Sequence, residues 1–388
     1  MFSFGRCILS LLAGASLAAP SLFAAEPDPA AGAKLGSILV YIGTYTGKKS
    51  QGIYLSRLDA ATGAMSEPEL AGTMINPSWV TIHPNHKFLF ACGEYGPYKG
   101  GSAIAGFSIG SDGKLTAINQ EPSGGGGPCH LDIDRAGRNL LVSNYGTGSV
   151  ADLPIAEDGK LSPPAWVDQH PAVGAEQKPH AHCTEFDPTN HFVLSCDAGL
   201  DRIYLYRFDA KGGCFAPNDP PFAATAAGSH PRHLAFSPDG KFVYVINEAS
   251  LTVTAYTYDA EHGVVQEIQT LSTLPEGFTG KGLSTAELLM HPSGKFLYGS
   301  NRGHDSIVGY SIDSQTGKLT LIGQNSTQGK TPRGVGIDPT GHWLIAGNQN
   351  SDNLVEFKID QKTGELTATG TKFDLGAPVC FKFLEEKR

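Results

Sequence analysis

Three arginines in short, similar contexts are the residues of this sequence best suited to bind an anion. Arg232, Arg302 and Arg333 stand in the stretches PRHL, SNRG and PRGV. A guanidinium group matches the oxygens of a carboxylate or phosphate with two parallel hydrogen bonds. An arginine beside a carbonyl oxygen can also stabilise the oxyanion that forms when an ester is attacked. Together they indicate an anionic ligand or a reaction at a carbonyl group.

His182 and Glu248 are the candidates for proton transfer. We expect each to lie among charged or titratable side chains, which tune a pKa toward the working pH. With the arginines they suit the opening or closing of an ester by a water molecule that the histidine or the glutamate activates. The sequence leaves open which of the two is the base.

A His-x-His pair, His180 and His182, raises the question of a metal ion. On a strand these side chains share a face, and with His130, His233 and Glu287 nearby they could hold zinc. Arginines are interleaved with these histidines, however, and repel a cation. We therefore predict no catalytic metal and no other cofactor.

An internal repeat supplies the elements that must position these residues. The repeated unit is a short apolar strand, a turn and a second apolar strand, as in PRHLAFSPDGKFVYVINE from Pro231. A third strand and a short fourth follow, joined by a TG or DG turn. The central turn recurs every 47 to 54 residues, at Pro84, Arg135, Pro188, Pro238, Pro292 and Pro339.

Four strands in about 50 residues are typical of a propeller blade. Six full repeats leave an N-terminal fragment without a first strand and a C-terminal segment, APVCFKF, that matches a first strand alone. Joining the two closes the ring and removes the exposed sheet edge. The sequence therefore predicts an all-β fold, a seven-bladed β-propeller closed by the C-terminal strand, as one domain over residues 38–388.

The start of the first strand and the end of the second lie at the same rim of a propeller. The scaffold repeats there while the charged side chains differ from blade to blade, which indicates a site and not packing. Beyond the residues already assigned, we predict substrate contacts from His130, His180, His233, Glu287, Arg333, Asn144 and Glu94. We interpret most of the recurrent asparagines, at 144, 247, 301 and 348, as structural. His83, His86, His191 and His291 lie at the opposite end and are predicted at the surface.

Several of these motifs, in this order, resemble one known family. They are PHAHCTEFDP, GLDRIYLYRFD, SHPRHLAFSPDGKFVYVINE, NRGHDSI, TPRG and PVCFKF, and the resemblance covers residues 38–383. The sequence is similar to the propeller lactonases typified by 6-phosphogluconolactonase, which are related to the fungal carboxy-cis,cis-muconate cyclising enzyme. The resemblance implies a metal-independent reaction. By motif it carries the family's catalytic set onto His182, Arg232, Glu248 and Arg302.

The N-terminal sequence is typical of an export signal. Arg6 precedes an apolar run from Cys7 to Phe23, and Ala24 and Ala25 follow before Glu26. We predict a signal peptide at residues 1–25, a flexible leader at 26–37, and a periplasmic or secreted protein.

Six widely spread cysteines remain and are predicted to be buried thiols, although Cys183 and Cys196 could meet across one hairpin.

The leading hypothesis is a hydrolase that opens a sugar lactone, phosphorylated or not. One alternative is another enzyme at the same rim, a lactone-forming cycloisomerase or a metal-dependent lactonase. Another is a non-catalytic propeller that binds an anion or a peptide. A formal net charge of −9 without a Lys/Arg run argues against nucleic acid or a membrane as partner. The oligomeric state is not determined, and we expect a monomer.

Overall fold

The computed structural model describes residues 36–98 and 101–386, and all of its regular elements in these ranges are β-strands. They form seven four-stranded antiparallel sheets, each built from strands consecutive in sequence except at the point of closure. This confirms the predicted all-β, seven-bladed propeller. The predicted signal peptide and nearly all of the predicted leader lie outside the described residues.

The first strand of each blade is next to the channel. The strands, blade by blade, are β28 (Pro378–Glu385), β1 (Ser37–Thr44), β2 (Gly52–Asp59) and β3 (Glu69–Thr73); β4 (Pro77–Ile82), β5 (Phe88–Tyr98), β6 (Gly101–Ile109) and β7 (Leu115–Pro122); β8 (Pro128–Ile133), β9 (Asn139–Asn144), β10 (Ser149–Pro154) and β11 (Trp166–Gln169); β12 (Ala181–Phe186), β13 (Phe192–Asp197), β14 (Arg202–Asp209) and β15 (Cys214–Ala224); β16 (Pro231–Phe236), β17 (Phe242–Asn247), β18 (Thr252–Asp259) and β19 (Val264–Ser272); β20 (Ser284–Met290), β21 (Phe296–Arg302), β22 (Ser306–Ile312) and β23 (Leu319–Ser326); β24 (Pro332–Ile337), β25 (Trp343–Asn348), β26 (Asn353–Ile359) and β27 (Leu366–Asp374). We number the blades 1 to 7 in this order.

Blade 1 closes the ring. The C-terminal strand β28 pairs antiparallel with β1, from Ile38 opposite Glu385 to Gly43 opposite Cys380. β1 begins at Ser37, one residue before the predicted domain boundary. Since β1 bonds to β28 on one side and to β2 on the other, this strand has no open edge.

Blades pack face to face through apolar side chains and through one recurring hydrogen bond. The hydroxyl groups of Tyr41, Tyr244 and Tyr298, all on second strands, donate to a carbonyl in the outer turn of the next blade. The acceptors are Gly113, Gly317 and Gly364, which have positive φ angles of 82°, 69° and 74°. Glycine adopts that conformation without strain, so the turn can present its carbonyl to the neighbouring tyrosine.

Two of the histidines predicted at the surface are buried, so that prediction was wrong for them. Nε2 of His83 lies 2.8 Å from the carbonyl oxygen of Gly137, and Nε2 of His291 lies 2.8 Å from that of Gly341. Each imidazole bonds the central turn of the next blade, which removes it from solvent. His86 and His191 are exposed, as predicted.

The six cysteines of the described residues are free thiols, and five of them are buried; Cys214 is exposed. Cys183 lies directly opposite Cys196 in the β12–β13 ladder, but the two do not form a disulfide. Among the described residues there is no helix long and apolar enough to span a bilayer.

Ring closure predicts the effect of removing β28. Val379, Cys380, Phe381 and Leu384 are buried on this strand, and burial contributes about 1.5–3 kcal/mol for each large apolar side chain. A chain that ends before residue 378 would lose a sum comparable with the whole stability of a typical domain. We expect it to show no cooperative thermal unfolding by circular dichroism, whereas a chain ending at Glu386 should unfold like the full-length protein. A cooperative transition at an unchanged temperature in the shorter chain would contradict this role of β28.

Candidate active site

A backbone irregularity recurs at the start of the first strand of every blade. At this point the register with the second strand shifts, because the first strand carries one residue more than its partner can pair. Such a β-bulge re-aims a side chain and is common beside active sites. In six blades one residue is unpaired: Ser78, Cys129, His182, Arg232, Arg333 and Val379. In blade 6 Ala286 and Glu287 together oppose Ser300. Three of the predicted site residues therefore occupy one structural position on three blades.

Glu248 stands between two of the arginines. Its Oε1 accepts a hydrogen bond of 2.7 Å from Nη2 of Arg302, and its Oε2 lies 3.2 Å from Nε of Arg232. Each guanidinium also donates to a backbone carbonyl, Arg232 to Ala286 and Arg302 to Thr285, both at 2.7 Å. The two arginines are thus held by the same carboxylate and by consecutive carbonyls of β20.

The charges of this trio are fixed at neutral pH. Burial favours the neutral form of Glu248, but Arg232 and Arg302 outweigh it and hold the pKa of the carboxyl below its usual value. Burial, then the charges of Arg333 and Arg302, lower the pKa of Arg232 to about 10, which leaves the guanidinium protonated. Glu248 is therefore an anion between two cations, and cannot act as a general acid at neutral pH.

A second carboxylate holds the third arginine. The hydroxyl of Tyr45 donates to Oε2 of Glu94 at 2.7 Å, and Nη2 of Arg333 lies 3.7 Å from the same oxygen. The Arg333 guanidinium also lies 5.4 Å from the centre of the Tyr45 ring. The three arginines and two glutamates thus carry a formal excess of one positive charge. Tyr45 was not predicted as a site residue.

His182 is a neutral imidazole beside these cations. It is buried, and burial followed by the charge of Arg232 holds its pKa well below the usual value. Its Nδ1 has no hydrogen-bond partner among the described residues. The ring lies 5.0 Å from that of His233 and 5.6 Å from that of Tyr145, between ring centres. A neutral histidine with an unsatisfied nitrogen is equipped to accept a proton.

His233, Glu287 and His130 lie one residue further along their strands. Nδ1 of His233 is 2.6 Å from Oε1 of Glu287, and its Nε2 has no hydrogen-bond partner in the described structure. The His130 ring packs 4.3 Å from Trp79 and 5.5 Å from His233. The three imidazoles of His182, His233 and His130 thus form a continuous line into the channel.

His180 and Asn144 take different positions from those predicted. Nδ1 of His180 lies 2.9 Å from the carbonyl oxygen of Tyr145, on whose ring it stacks. Asn144 is fully buried and donates its amide to the carbonyl of Ser123 in the preceding blade. Its equivalent Asn301 makes the same bond to Thr273. The structural interpretation of the asparagines therefore applies to Asn144, and its predicted contact with substrate is not supported.

A buried network that was not predicted positions the strand bearing His182. Oδ1 of Asp197 accepts hydrogen bonds from the backbone N–H groups of His180, Gly199 and Leu200, at 2.8 to 3.0 Å. Its Oδ2 lies 2.6 Å from Nδ1 of His170. A signal existed in the sequence, since Asp197 ends a second strand where four other blades have asparagine.

Ser108 stands in a G-x-S-x-G sequence, GFSIG, the pattern of a nucleophile elbow. It lies on β6, the third strand of blade 2, and its hydroxyl is 3.4 Å from the carbonyl oxygen of Thr116 on the outer strand. An elbow requires a sharp turn between a strand and a helix, and β6 is extended through this residue. A serine nucleophile at this position is not supported.

Comparisons with known proteins agree with this fold. The sequence matches the family described as Lactonase, 7-bladed beta-propeller over residues 39–383. The 6-phosphogluconolactonase of Bacillus subtilis is 36% identical over 297 residues, which are 76% of this chain and 83% of that protein. The 6-phosphogluconolactonase of Formosa agariphila is 32% identical over 310 residues, 77% of this chain and 86% of its own. The solved periplasmic gluconolactonase of Pseudomonas aeruginosa has a TM-score of 0.85 at 30% identity, covering 90% of this chain and 100% of that one.

The Asp197 network predicts a large loss of stability when its carboxylate is removed. Asp197→Ala leaves three backbone N–H groups and the His170 ring without their buried acceptor, so we expect the free energy of unfolding to fall by about 3 kcal/mol or more. Urea denaturation measures this loss. Asp360→Ala is the matched control, because Asp360 also accepts backbone N–H groups, from Lys362 and Thr363, but in an exposed turn. Equal stability of the two variants would contradict the role given to Asp197.

Proposed function

Because the chain belongs to the lactonase family of seven-bladed β-propellers, we propose that it hydrolyses the ester of a sugar lactone at the mouth formed by His182, Arg232, Glu248 and Arg302. The observation that carries the proposal is the meeting of a neutral, buried histidine with two arginines held by one carboxylate. This arrangement provides a base and an oxyanion site next to each other.

The two arginines bind the lactone carbonyl in this mechanism. Attack at the carbonyl carbon places negative charge on its oxygen, and pre-positioned cations stabilise that charge without having to reorganise. Glu248 and the carbonyls of Thr285 and Ala286 hold the two guanidinium groups in place. Glu248 therefore acts as a positioning residue for Arg232 and Arg302.

His182 is the general base. Its neutral ring takes a proton from water while the water oxygen bonds to the carbonyl carbon. The ring C–O bond of the lactone then breaks, and the imidazolium returns the proton to the departing alkoxide. The products are a carboxylic acid, which ionises in solution, and a free hydroxyl. Glu248 is less suited to this role, because its two oxygens are engaged by Arg302 and Arg232, whereas Nδ1 of His182 has no partner among the described residues.

A lactone with little negative charge suits this site best. The three arginines are met by Glu248 and Glu94 and by the ionised Glu287 near Arg232, so the site suits a neutral lactone. A phosphate dianion would add charge that these side chains do not balance. The signal-like N-terminus and the similarity to a protein named periplasmic gluconolactonase support an exported enzyme acting on a non-phosphorylated aldonolactone.

The direct test follows acid release by the purified mature protein from glucono-δ-lactone and from its 6-phosphate. We expect hydrolysis above the spontaneous rate, with a higher kcat/KM for the non-phosphorylated lactone, and insensitivity of the reaction to EDTA. His182→Ala should lower kcat by about 10²- to 10⁴-fold, the usual contribution of a general base. His262→Gln, in an exposed outer turn, is the control histidine variant.

Each other outcome identifies an alternative. A preference for the 6-phosphate would contradict the proposed substrate class, and loss of activity in EDTA would indicate a metal-dependent lactonase. No acceleration with either lactone would leave the lactone-forming cycloisomerase or the binding propeller. Glu248→Gln distinguishes the base: we expect a loss of about 10- to 100-fold in kcat, smaller than that of His182→Ala. An equal or larger loss would assign the base to Glu248.

The depressed pKa of His182 predicts the pH dependence of the reaction. The base is competent only when deprotonated, so kcat/KM should be constant through neutrality and fall on acidification only below the ordinary histidine pKa of about 6.5. Rates corrected for spontaneous hydrolysis, measured from pH 4.5 to pH 8, test this. The acidic limb should be absent from the residual activity of His182→Ala. A limb that persists there would show that another group controls the profile.

A further inference from the structure

A group of three potential metal ligands lies in the channel below the proposed lactone site. Nε2 of His130 is 3.6 Å from Sγ of Cys183 and 4.0 Å from Oε1 of Glu185, and Sγ of Cys183 is 3.8 Å from the same oxygen. His130 and Cys183 are buried, and Glu185 is partly exposed. The three atoms therefore form a nearly equilateral triangle between blades 3 and 4.

We propose that His130, Cys183 and Glu185 bind one zinc ion, at a site separate from the lactone-binding residues. Zinc binds histidine nitrogen and carboxylate oxygen at about 2.0–2.2 Å and thiolate sulfur at about 2.3 Å. Tetrahedral coordination with these bond lengths separates neighbouring ligand atoms by roughly 3.3–3.7 Å. The observed triangle needs only a small contraction to reach those separations, and the fourth position is left for water.

The ligand types and their charges suit a divalent transition metal. A set of one nitrogen, one sulfur and one oxygen ligand favours zinc over calcium or magnesium, which prefer oxygen. Zinc with one thiolate, one carboxylate and a neutral imidazole has no net charge, so the buried site avoids an unpaired ion. One cation is nearby, Lys382, whose Nζ lies 4.4 Å from the centre of the Trp79 ring and whose charge favours the ionised forms of Asp132 and Glu185.

Arg232 is the arginine whose charge bears on His130, and its pairing with Glu248 limits its repulsion of a cation. Arg232 and Arg333 are at the bulge position, and Arg302 ends a second strand. His130 and Cys183 are at the following position of their strands, and Glu185 is two residues further on. This trio differs from the group for which a metal was considered from the sequence and none was predicted, which consists of His180, His182, His130, His233 and Glu287.

Solvent reaches Glu185, one member of the trio, from the opposite mouth of the channel. A cavity of about 510 Å³ is lined there by Asp132, Glu185 and the apolar ends of the first strands, including Phe186, Phe236 and Leu289. Its charged lining residues are Asp132, Glu185, Asp187 and Arg135. A cation that enters by this mouth therefore meets more acidic than basic side chains.

The surroundings of His130 keep Nε2 directed at the site. Its ring is packed against Trp79, whose Nε1 donates to the carbonyl of Leu131. The backbone N–H of Thr184 is 3.5 Å from Nδ1, a length at which a hydrogen bond is weak. Metal binding through Nε2 requires the ring proton on Nδ1, so the weak bond that Nδ1 accepts from Thr184 is given up when the ion binds.

Metal binding is tested on the full mature protein with Cys214, the exposed thiol, replaced by serine. After dialysis against EDTA and then buffer, we expect one zinc per chain by elemental analysis on titration, and a thermal midpoint that rises with zinc concentration. Cobalt in place of zinc should give a thiolate-to-cobalt charge-transfer band and the intense visible bands of tetrahedral coordination. These readouts do not depend on lactonase activity.

Ligand variants decide the assignment. Cys183→Ser and Glu185→Gln should each weaken zinc binding by about 100-fold or more, and Cys183→Ser should remove the cobalt charge-transfer band. Cys196→Ser is the matched control, because Cys196 is an equally buried thiol opposite Cys183 in the ladder. Circular dichroism confirms that each variant folds, and Glu185→Gln keeps the size of the side chain. The absence of stoichiometric zinc, or unchanged binding in both ligand variants, would overturn the proposal.

Discussion

In all seven blades the first strand carries one residue more than its partner can pair, at the place where the blade reaches the mouth of the channel. The bulge removes that residue from the ladder, so its identity is free to vary without weakening the sheet. His182, Arg232 and Arg333 occupy it in three blades, while Ser78, Cys129, Ala286 and Val379 occupy it in the others. Because the same bulge recurs around a closed ring, the side chains at this position of all seven blades lie close together at the mouth of the channel. The chemistry of the mouth depends on this repeated irregularity more than on any single residue.

Converging buried charges would be costly if they were left unpaired. The structure pairs Arg232 and Arg302 with Glu248, and Arg333 with Glu94 and Tyr45. This pairing has a consequence for the histidines, since the arginines that remain charged disfavour a third cation and help to keep His182 neutral. The arginines thus favour the neutral state that His182 needs if it is to act as the proposed base. A mouth with histidines but no arginines would lack the positive charge that disfavours protonation of His182.

Much of the architecture could be predicted because propeller blades repeat in sequence. The turn period predicted the ring, and the complementary N- and C-terminal fragments predicted its closure. The polar positions at the rim predicted residues such as Arg302 and Glu248.

The repeat could not show which partner each side chain contacts across a blade boundary. His83 and His291 bond a turn of the next blade, and Asn144 bonds Ser123 of the preceding one. Asp197 was visible as a departure from asparagine, but its bond to His170, from a distant connection, was not. Sequence spacing describes contacts within a blade, and these contacts lie between blades.

The same limit applies to the His-x-His pair, His180 and His182. His180 precedes β12 and is bonded to the carbonyl of Tyr145, whereas His182 occupies the bulge of that strand. His130 and Cys183, which are 53 residues apart in sequence, occupy equivalent positions of adjacent first strands, and the closed ring brings equivalent positions together around the axis. Two consecutive residues of a first strand can therefore serve different chemistry. The bulge residue contributes to an anion-binding mouth, and the next residue contributes to a channel whose thiol and carboxylate groups suit a cation. The propeller separates the two by one residue step along the axis, and the pairing of Arg232 with Glu248 limits the repulsion between them.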